Sequence, residues 1–450
     1  MKNTIKRWLA VGCAFAATVS LTSCLSLNLG DNGGKSAFQI YQETYGYEGT
    51  EEEWLASLKG ADGKDGADMD INAVYEAAKE NGYTGDFLSF LKEYFSVDVQ
   101  ENNDTATIAR NLMSTVSVCC GFTGSSSVSQ GSGVIINLDK ENGNAYIVTN
   151  YHVVYESTYQ QNSGISTAIY AYLYGSLLDF NTATQSSNYG MRCTYVGGAM
   201  DYDLAVLRVD GNQQLKEGDV QAATLGDSDS LTVGEKVFVI GNAEGDGISV
   251  TDGVLSVESE YITMDSLDGT KREVDYRVLR TSAAVNHGNS GGPIFNAAGQ
   301  LIGIINAKNV DEDVENMGYA LPINYAIATV NNILDNDGRL LRAMFGITVQ
   351  TTASSAKIDE NGRISITETC TIHEAAGYGH AAYGKLRVGD VLKKIKLGDK
   401  TYEITRRHQI SDLLLDVRLG DTVTITVERG GSQIEVQISF DKDRYFTYYH

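Results

Sequence analysis

The sequence predicts a mainly β chain with two β-rich units behind a short helical region, and three observations support this. First, between residues 109 and 336 short apolar runs recur with Gly, Asn and Asp between them: "GVIINL", "AYIVTN", "IYAYLY", "MRCTYVGG", "LAVLRV", "KVFVIG", "YRVLRT" and "LIGIINA". That spacing marks an all-β barrel or sandwich. Second, residues 338–442 form another β-rich stretch, with one helix expected in "ISDLLLDVRL" (410–419). Third, two segments beginning at Ala37 and Ala73 align residue by residue, pairing Gly46 with Gly82, Tyr47 with Tyr83 and Trp54 with Phe90. Each reads as helix, Gly-Tyr-x-Gly turn and second short helix.

These elements follow one another in a definite order. Lys2, Lys6 and Arg7 precede the apolar run "WLAVGCAFAATVSL", which ends in "LTSC", Leu21 to Cys24. A positive n-region and a run too short to span comfortably describe a signal segment, residues 1–23. "LTSC" resembles a bacterial lipoprotein signal, which implies lipidation of Cys24 and a chain tethered to the membrane outside the cytoplasm. Residues 24–36 are a polar tether and 37–95 hold the two helical repeats, joined by the Gly-rich "GADGKDGAD". The repeat region resembles spacers in Gram-positive surface proteins. Residues 96–108 are polar and read as a second linker. The helical run "INYAIATVNNIL" closes the first β-rich unit, and the last residues, "DRYFTYYH", carry no assignment.

Composition excludes several functions. The formal net charge is −23, and loss of residues 1–23 with their three basic side chains makes it −26. Such a chain is a poor partner for nucleic acid or for a polybasic membrane contact. Beyond Cys24 the cysteines are 119, 120, 193 and 370, without zinc-type spacing, so no metal and no cofactor is expected. They read as small buried apolar residues.

Chemistry enters at "NHGNSGGPIF", Asn286 to Phe295. A serine ringed by glycines is either a turn residue or a nucleophile, and a nucleophile needs a base and a group to orient that base. Two histidines of the first β-rich unit are available. His287 lies on the same tight loop, three residues before Ser290. His152 follows the apolar run "AYIVTN" and stands at a strand end, where a rigid scaffold can aim it. The orienting acid is Asp203 in "DYDLAVLRV", at the mouth of a buried run; Asp201, two residues earlier, is the decoy.

"IVTNYHVV", "DLAVLRV" and "GNSGGP", in this order, resemble the trypsin-like proteases of the HtrA/Deg family. "GSGVII" (131–136), "LGDSD" (225–229), "VGEKVFVIGN" (233–242) and "MGYALPIN" (317–324) extend the match across nearly the whole segment. The resemblance implies a chymotrypsin-like pair of six-stranded β-barrels with the site between them. It implies His152 as base, Asp203 as orienter, Ser290 as nucleophile, and the N–H groups of Gly288 and Ser290 as oxyanion hole. It further implies Ala284 at the base of the primary pocket and Asn306 and Ala307 in its wall, without a charge to receive Lys or Arg. Ser282 and Ala243 stand where the family has Asp and Pro, which bears on the conformation of the loops around the site.

The C-terminal unit resembles a PDZ domain. "MFGI", Met344, Phe345, Gly346 and Ile347, matches the carboxylate-binding loop, and "LRVGDVL" and "LGDTVTITVERGG" match later elements. "GHAAYGKL" departs from the family pattern, and residues 350–365 look inserted. Together these resemblances imply a lipid-anchored serine endopeptidase acting on unfolded exported proteins, engaging their C-termini through the PDZ unit and forming the homotrimer common in the family. The competing expectation is a chaperone-like or peptide-binding lipoprotein with an idle triad.

Overall fold

The computed structural model of the protein describes residues 104–449, apart from 125–127, 160, 307–316 and 361, together with Lys79. Cys24, the tether and the helical repeats, Lys79 excepted, lie outside the described residues. Among the described residues no helix is long and apolar enough to cross a membrane.

Helix α1 spans Asp104–Leu112 and so begins inside the stretch expected to be linker. It is held in place from outside itself: Asp104 pairs with Lys236 at 2.5 Å, and Asn111 Nδ2 donates to Gly299 O at 3.2 Å. Six strands follow: β1 Thr115–Gly121, β2 Val128–Asp139, β3 Asn144–Thr149, β4 Ala168–Leu173, β5 Met191–Ala199 and β6 Leu204–Val209. They close into a barrel in the order β1-β2-β3-β6-β5-β4. Short helices α2 (Tyr151–Val154) and α3 (Gln213–Glu217) lie on its connections. A second barrel is built from β7 Lys236–Gly241, β8 Ser249–Asp265, β9 Glu273–Thr281, β10 Pro293–Asn296, β11 Leu301–Ile305 and β12 Gly318–Pro322, in the order β10-β11-β12-β9-β8-β7.

Both barrels are filled by the apolar runs singled out above. Val116, Ile135, Ile147, Ile169 and Leu207 are fully buried in the first, and Val237, Leu279, Ile294 and Ile302 in the second. Each such side chain stabilises by about 1.5–3 kcal/mol. Cys119, Cys120 and Cys193 are free and buried. Cys120 and Cys193 both pair with Ile169, on opposite sides of β4, so two strand spacings, about 9.6 Å, separate them. That is beyond disulfide reach. Burial pushes the Cys119 and Cys193 thiols up to about 12, which makes them inert.

Helix α4 (Ile323–Asp335) leads to the C-terminal unit: β13 Leu340–Ala343, β14 Thr348–Ile358, β15 Ile364–Glu374, β16 Val391–Leu397, β17 Lys400–Glu403, α5 Arg407–Leu413, β18 Thr422–Arg429, β19 Ser432–Ser439 and β20 Phe446–Tyr449. The main sheet runs β14-β15-β16-β18-β19, with β17 paired to β16. The stretch that looked inserted is the far end of the β14–β15 hairpin. Its tip rests on the second barrel, where Ile364 N donates to Thr232 Oγ1 at 3.1 Å and Arg363 pairs with Glu235 at 3.0 Å.

Two C-terminal segments differ from the sequence expectation. The helix is Arg407–Leu413, not 410–419, because the run Leu413–Leu415 serves two cores. Leu413 and Leu414 enter the C-terminal core, while Leu415 enters the core of the barrels and its carbonyl accepts from Asn332 Nδ2 at 2.8 Å. A continuing helix could not supply both. The unassigned tail forms β20, pairs with β13, and sets Tyr449 edge-on to Tyr202 at 5.3 Å.

A buried polar cluster joins α5 to the second barrel. Arg277 on β9, 3% exposed, forms an ion pair with Asp412, donates to Ser259 Oγ at 3.1 Å and stands 3.4 Å from Asp229. His408 Nδ1 meets the same serine at 3.3 Å. Burial, then the charge of Arg277, pushes His408 down to about 2; burial pushes Asp412 up to about 7 against the pull of Arg277. The two shifts oppose each other in pH. Unfolded imidazole protonates below about 6.5, so His408 costs stability progressively as pH falls from there. Unfolded carboxyl ionises above about 3.9, so Asp412 contributes stability at low pH that is lost as pH rises through 3.9 to 7. Between about pH 4 and 6.5 the losses offset, and above 7 the His408 cost has gone while the Asp412 cost is complete. Urea denaturation is therefore expected to give the same midpoint from about pH 4 to 8 and a falling one below 4. A steep fall between pH 7 and 5 would contradict the opposed pair.

Candidate active site

His152 sits in α2, immediately after β3, whose strand runs into the turn through buried Asn150. Asp203 sits between the 3-10 turn Met200–Tyr202 and β6, with φ 48°, a left-handed conformation that Asp tolerates better than most residues. β3 and β6 are adjacent in the barrel, so their ends bring the two side chains together. His152 Nδ1 lies 2.7 Å from Asp203 Oδ2, and the His152 N–H donates to Asp203 Oδ1 at 2.9 Å. A carboxylate accepts only, so Nδ1 carries the ring proton and Nε2 keeps its lone pair. Asp203 is 1% exposed, a buried charge held by several donors. Asn306 Nδ2 donates to its Oδ2 at 3.1 Å, and Asn150 Nδ2 to its carbonyl at 2.9 Å. Beside them, burial and then the negative charge of Asp203 raise the phenol of Tyr276. Asp201 is committed elsewhere, in an ion pair with Arg272.

Ser290 lies on the loop before β10, 6% exposed. Two glycines let that loop approach the first barrel. Gly291 has φ 81°, and a Cβ there would stand 2.3 Å from Thr149 Oγ1 and 2.9 Å from Asn150 N. A Cβ on Gly131 would meet Val153 Cγ2 at 2.6 Å and Ser290 O at 3.0 Å, so the serine backbone and the His152 turn pack against the same glycine. Among the described residues the Ser290 hydroxyl has no hydrogen-bond partner; in substrate-free sites the contact between nucleophile and base is commonly open. The N–H groups of Gly288 and Ser290 also have no acceptor among the described residues, although the carbonyls of His287, Gly288, Asn289 and Ser290 each accept a hydrogen bond. A serine, an imidazole aimed by a buried carboxylate and two unpaired N–H donors make an arrangement suited to acyl transfer.

Residues 131–304 match the model of the trypsin-like peptidase domain. The chain is 30% identical over 344 residues to the serine protease Do-like HtrA of Lactococcus lactis subsp. cremoris (strain MG1363), covering 72% of this chain and 76% of that protein. This chain belongs to the HtrA family of serine proteases. It is a serine endopeptidase of that family. The HtrA of Bacillus subtilis (strain 168) is 31% identical over 320 residues, 69% of this chain and 63% of that one. Among solved structures, the HtrA-type protease AlgW with tripeptide is 26% identical over 74% of this chain and 95% of that chain, with a TM-score of 0.48.

The other residues expected at the site of this HtrA-family protease fall as follows. Ala284 is exposed between buried Ala283 and Val285, and its carbonyl accepts from Thr251 Oγ1 at 2.8 Å. The side chain of Asn306 donates to Asp203 and its main-chain N–H to Tyr319 O at 2.9 Å; Ala307 lies outside the described residues. His287 is exposed. Sequence reasoning missed Asn150 and Asn306 as the amides that hold Asp203. Both stand at the end of an apolar strand run, the signal that singled out Asp203 itself.

Proposed function

We propose that Ser290, His152 and Asp203 are the nucleophile, base and orienter of this endopeptidase, with Gly288 and Ser290 N–H as oxyanion hole. The observation that carries this is the 2.7 Å contact of His152 Nδ1 with a buried carboxylate, on the turn packed against the Ser290 loop. The substrates are unfolded or damaged exported proteins. A lipid on Cys24 anchors the chain to the membrane, in the cell envelope. Relatives include a probable periplasmic serine endoprotease DegP-like of Pseudomonas putida, which supports an exported location. The domain limits are 109–336 for the protease and 338–442 for the PDZ unit, and the assembly is a homotrimer.

The PDZ unit takes peptide C-termini at Met344–Ile347. β14, which follows that loop, is an edge strand, so an extended peptide has a free edge to join. The N–H groups of Phe345 and Gly346 have no acceptor among the described residues, and the His380 ring lies so close to Gly346 that a Cβ there would meet its Cγ at 2.3 Å.

Ala284 brings no charge to the pocket, so cleavage after Val, Ala, Ile or Leu is expected to outnumber cleavage after Lys or Arg. Mass spectrometry of a casein digest checks this, and products dominated by basic cleavage positions would overturn the pocket assignment.

A further inference from the structure

We infer that Ser132 is a positioning residue that holds the oxyanion hole open, with the main-chain N–H of Glu244 as its counterpart. This rests on the reading of Gly288 and Ser290 N–H as the oxyanion donors.

Four consecutive carbonyls of the nucleophile loop are each taken by a donor. His287 O accepts from Glu244 N at 2.7 Å, and Asn289 O from Gly292 N at 2.9 Å. Gly288 O accepts from Ser132 Oγ at 2.7 Å, and Ser290 O from Ser132 N at 2.7 Å. A trans peptide is planar, with its C=O and N–H pointing opposite ways. Fixing His287 O therefore turns the Gly288 N–H to the other side, and fixing Asn289 O does the same for Ser290 N–H. These are the two groups left without an acceptor.

Ser132 holds the other two carbonyls, Gly288 O and Ser290 O. These belong to the peptides that follow the two donor residues, so Ser132 fixes the far side of Gly288 and of Ser290, while Glu244 N and Gly292 N fix the donor peptides themselves. Ser132 is fully buried, and its hydroxyl proton has one direction open, because its oxygen accepts from Asn242 N at 2.8 Å. The hydroxyl thus ties the nucleophile loop to the 242–247 loop. On that loop Glu244 adopts φ 56°, left-handed and strained for a non-glycine residue, while its side chain is exposed. The main chain of Glu244, not its carboxylate, does the holding. The two loops touch so closely that a Cβ on Gly288 would stand 2.1 Å from Asn242 O.

The test uses the intact chain, a peptide substrate and the matching peptide aldehyde. Ser290 Oγ adds to the aldehyde carbon as its proton passes to His152, and the former carbonyl oxygen becomes an oxyanion in the hole. Ser132→Ala is expected to lower kcat by about ten- to a hundredfold, somewhat less than outright loss of a hole donor. KM should stay within about threefold, and aldehyde affinity should fall with kcat. Ser132→Thr, which keeps the hydroxyl, should recover most of both. Glu244→Pro, which has no N–H and cannot reach φ 56°, should reproduce the Ser132→Ala loss and supplies the answer where that variant does not fold. Unchanged kcat in folded Ser132→Ala or Glu244→Pro, or a parallel rise of KM at constant aldehyde affinity, would overturn the inference. A wild-type chain active without modification of Ser290 by a fluorophosphonate would instead remove the reading beneath it.

Discussion

Asp203→Asn is expected to lower kcat about 10⁴-fold while leaving the fold intact, and Asp201→Asn to change it less than about threefold. The asparagine would present an amide to His152 Nδ1 and favour the tautomer with its proton on Nε2, where the serine proton must go. The expected loss is large because Asp203 accepts from His152 twice and from Asn306 in a buried site, so no other group can take over. Asp201 has its charge on Arg272, the residue just before β9, and is not hydrogen-bonded to His152 or Ser290. Single-turnover and steady-state rates on one peptide separate the pair. A larger loss in Asp201→Asn would reverse the assignment.

The second large effect concerns stability. Arg277→Ala is expected to cost about 3 kcal/mol, at the lower end for breaking a buried ion pair, because it strands Asp412 and Asp229 beside His408. The C-terminal unit should then come away from the barrels, exposing the Asp335–Leu340 connection to added protease. Arg277→Met with Asp412→Leu removes both charges and should recover most of the loss, since apolar replacement of a buried pair is often neutral. Urea titration of the three chains gives the comparison. A single variant as stable as wild type would show that the ion pair does not hold the unit in place.

Much of the fold was legible because the barrels rest on local patterns. Each of the eight quoted β-type runs lies within or largely covers a strand, and "INYAIATVNNIL" falls in α4. The pairing of His152 with Asp203 was legible because chemistry constrains it: a serine among glycines, if it is to be a nucleophile, needs a histidine at a strand end and an acid at the mouth of another. What stayed hidden is set by distant contacts. β8 is 17 residues long, but its faces are largely half-exposed, so no apolar alternation marks it. The helix at 407–413 is displaced from the leucine run because that run divides between two cores. Ser132 reads as one small residue in "GSGVII", and its position against residues 242 and 288 follows only from closure of both barrels. The hairpin tip at 358–364 likewise acquires its contact only when the two units meet.

The central claim, that Ser290 is the nucleophile of this endopeptidase, is tested most directly by incubating casein with the wild-type chain and with Ser290→Ala under identical conditions. Wild type should digest the casein progressively and Ser290→Ala not above background, with the same urea midpoint for both. Digestion by Ser290→Ala at the wild-type rate would contradict it.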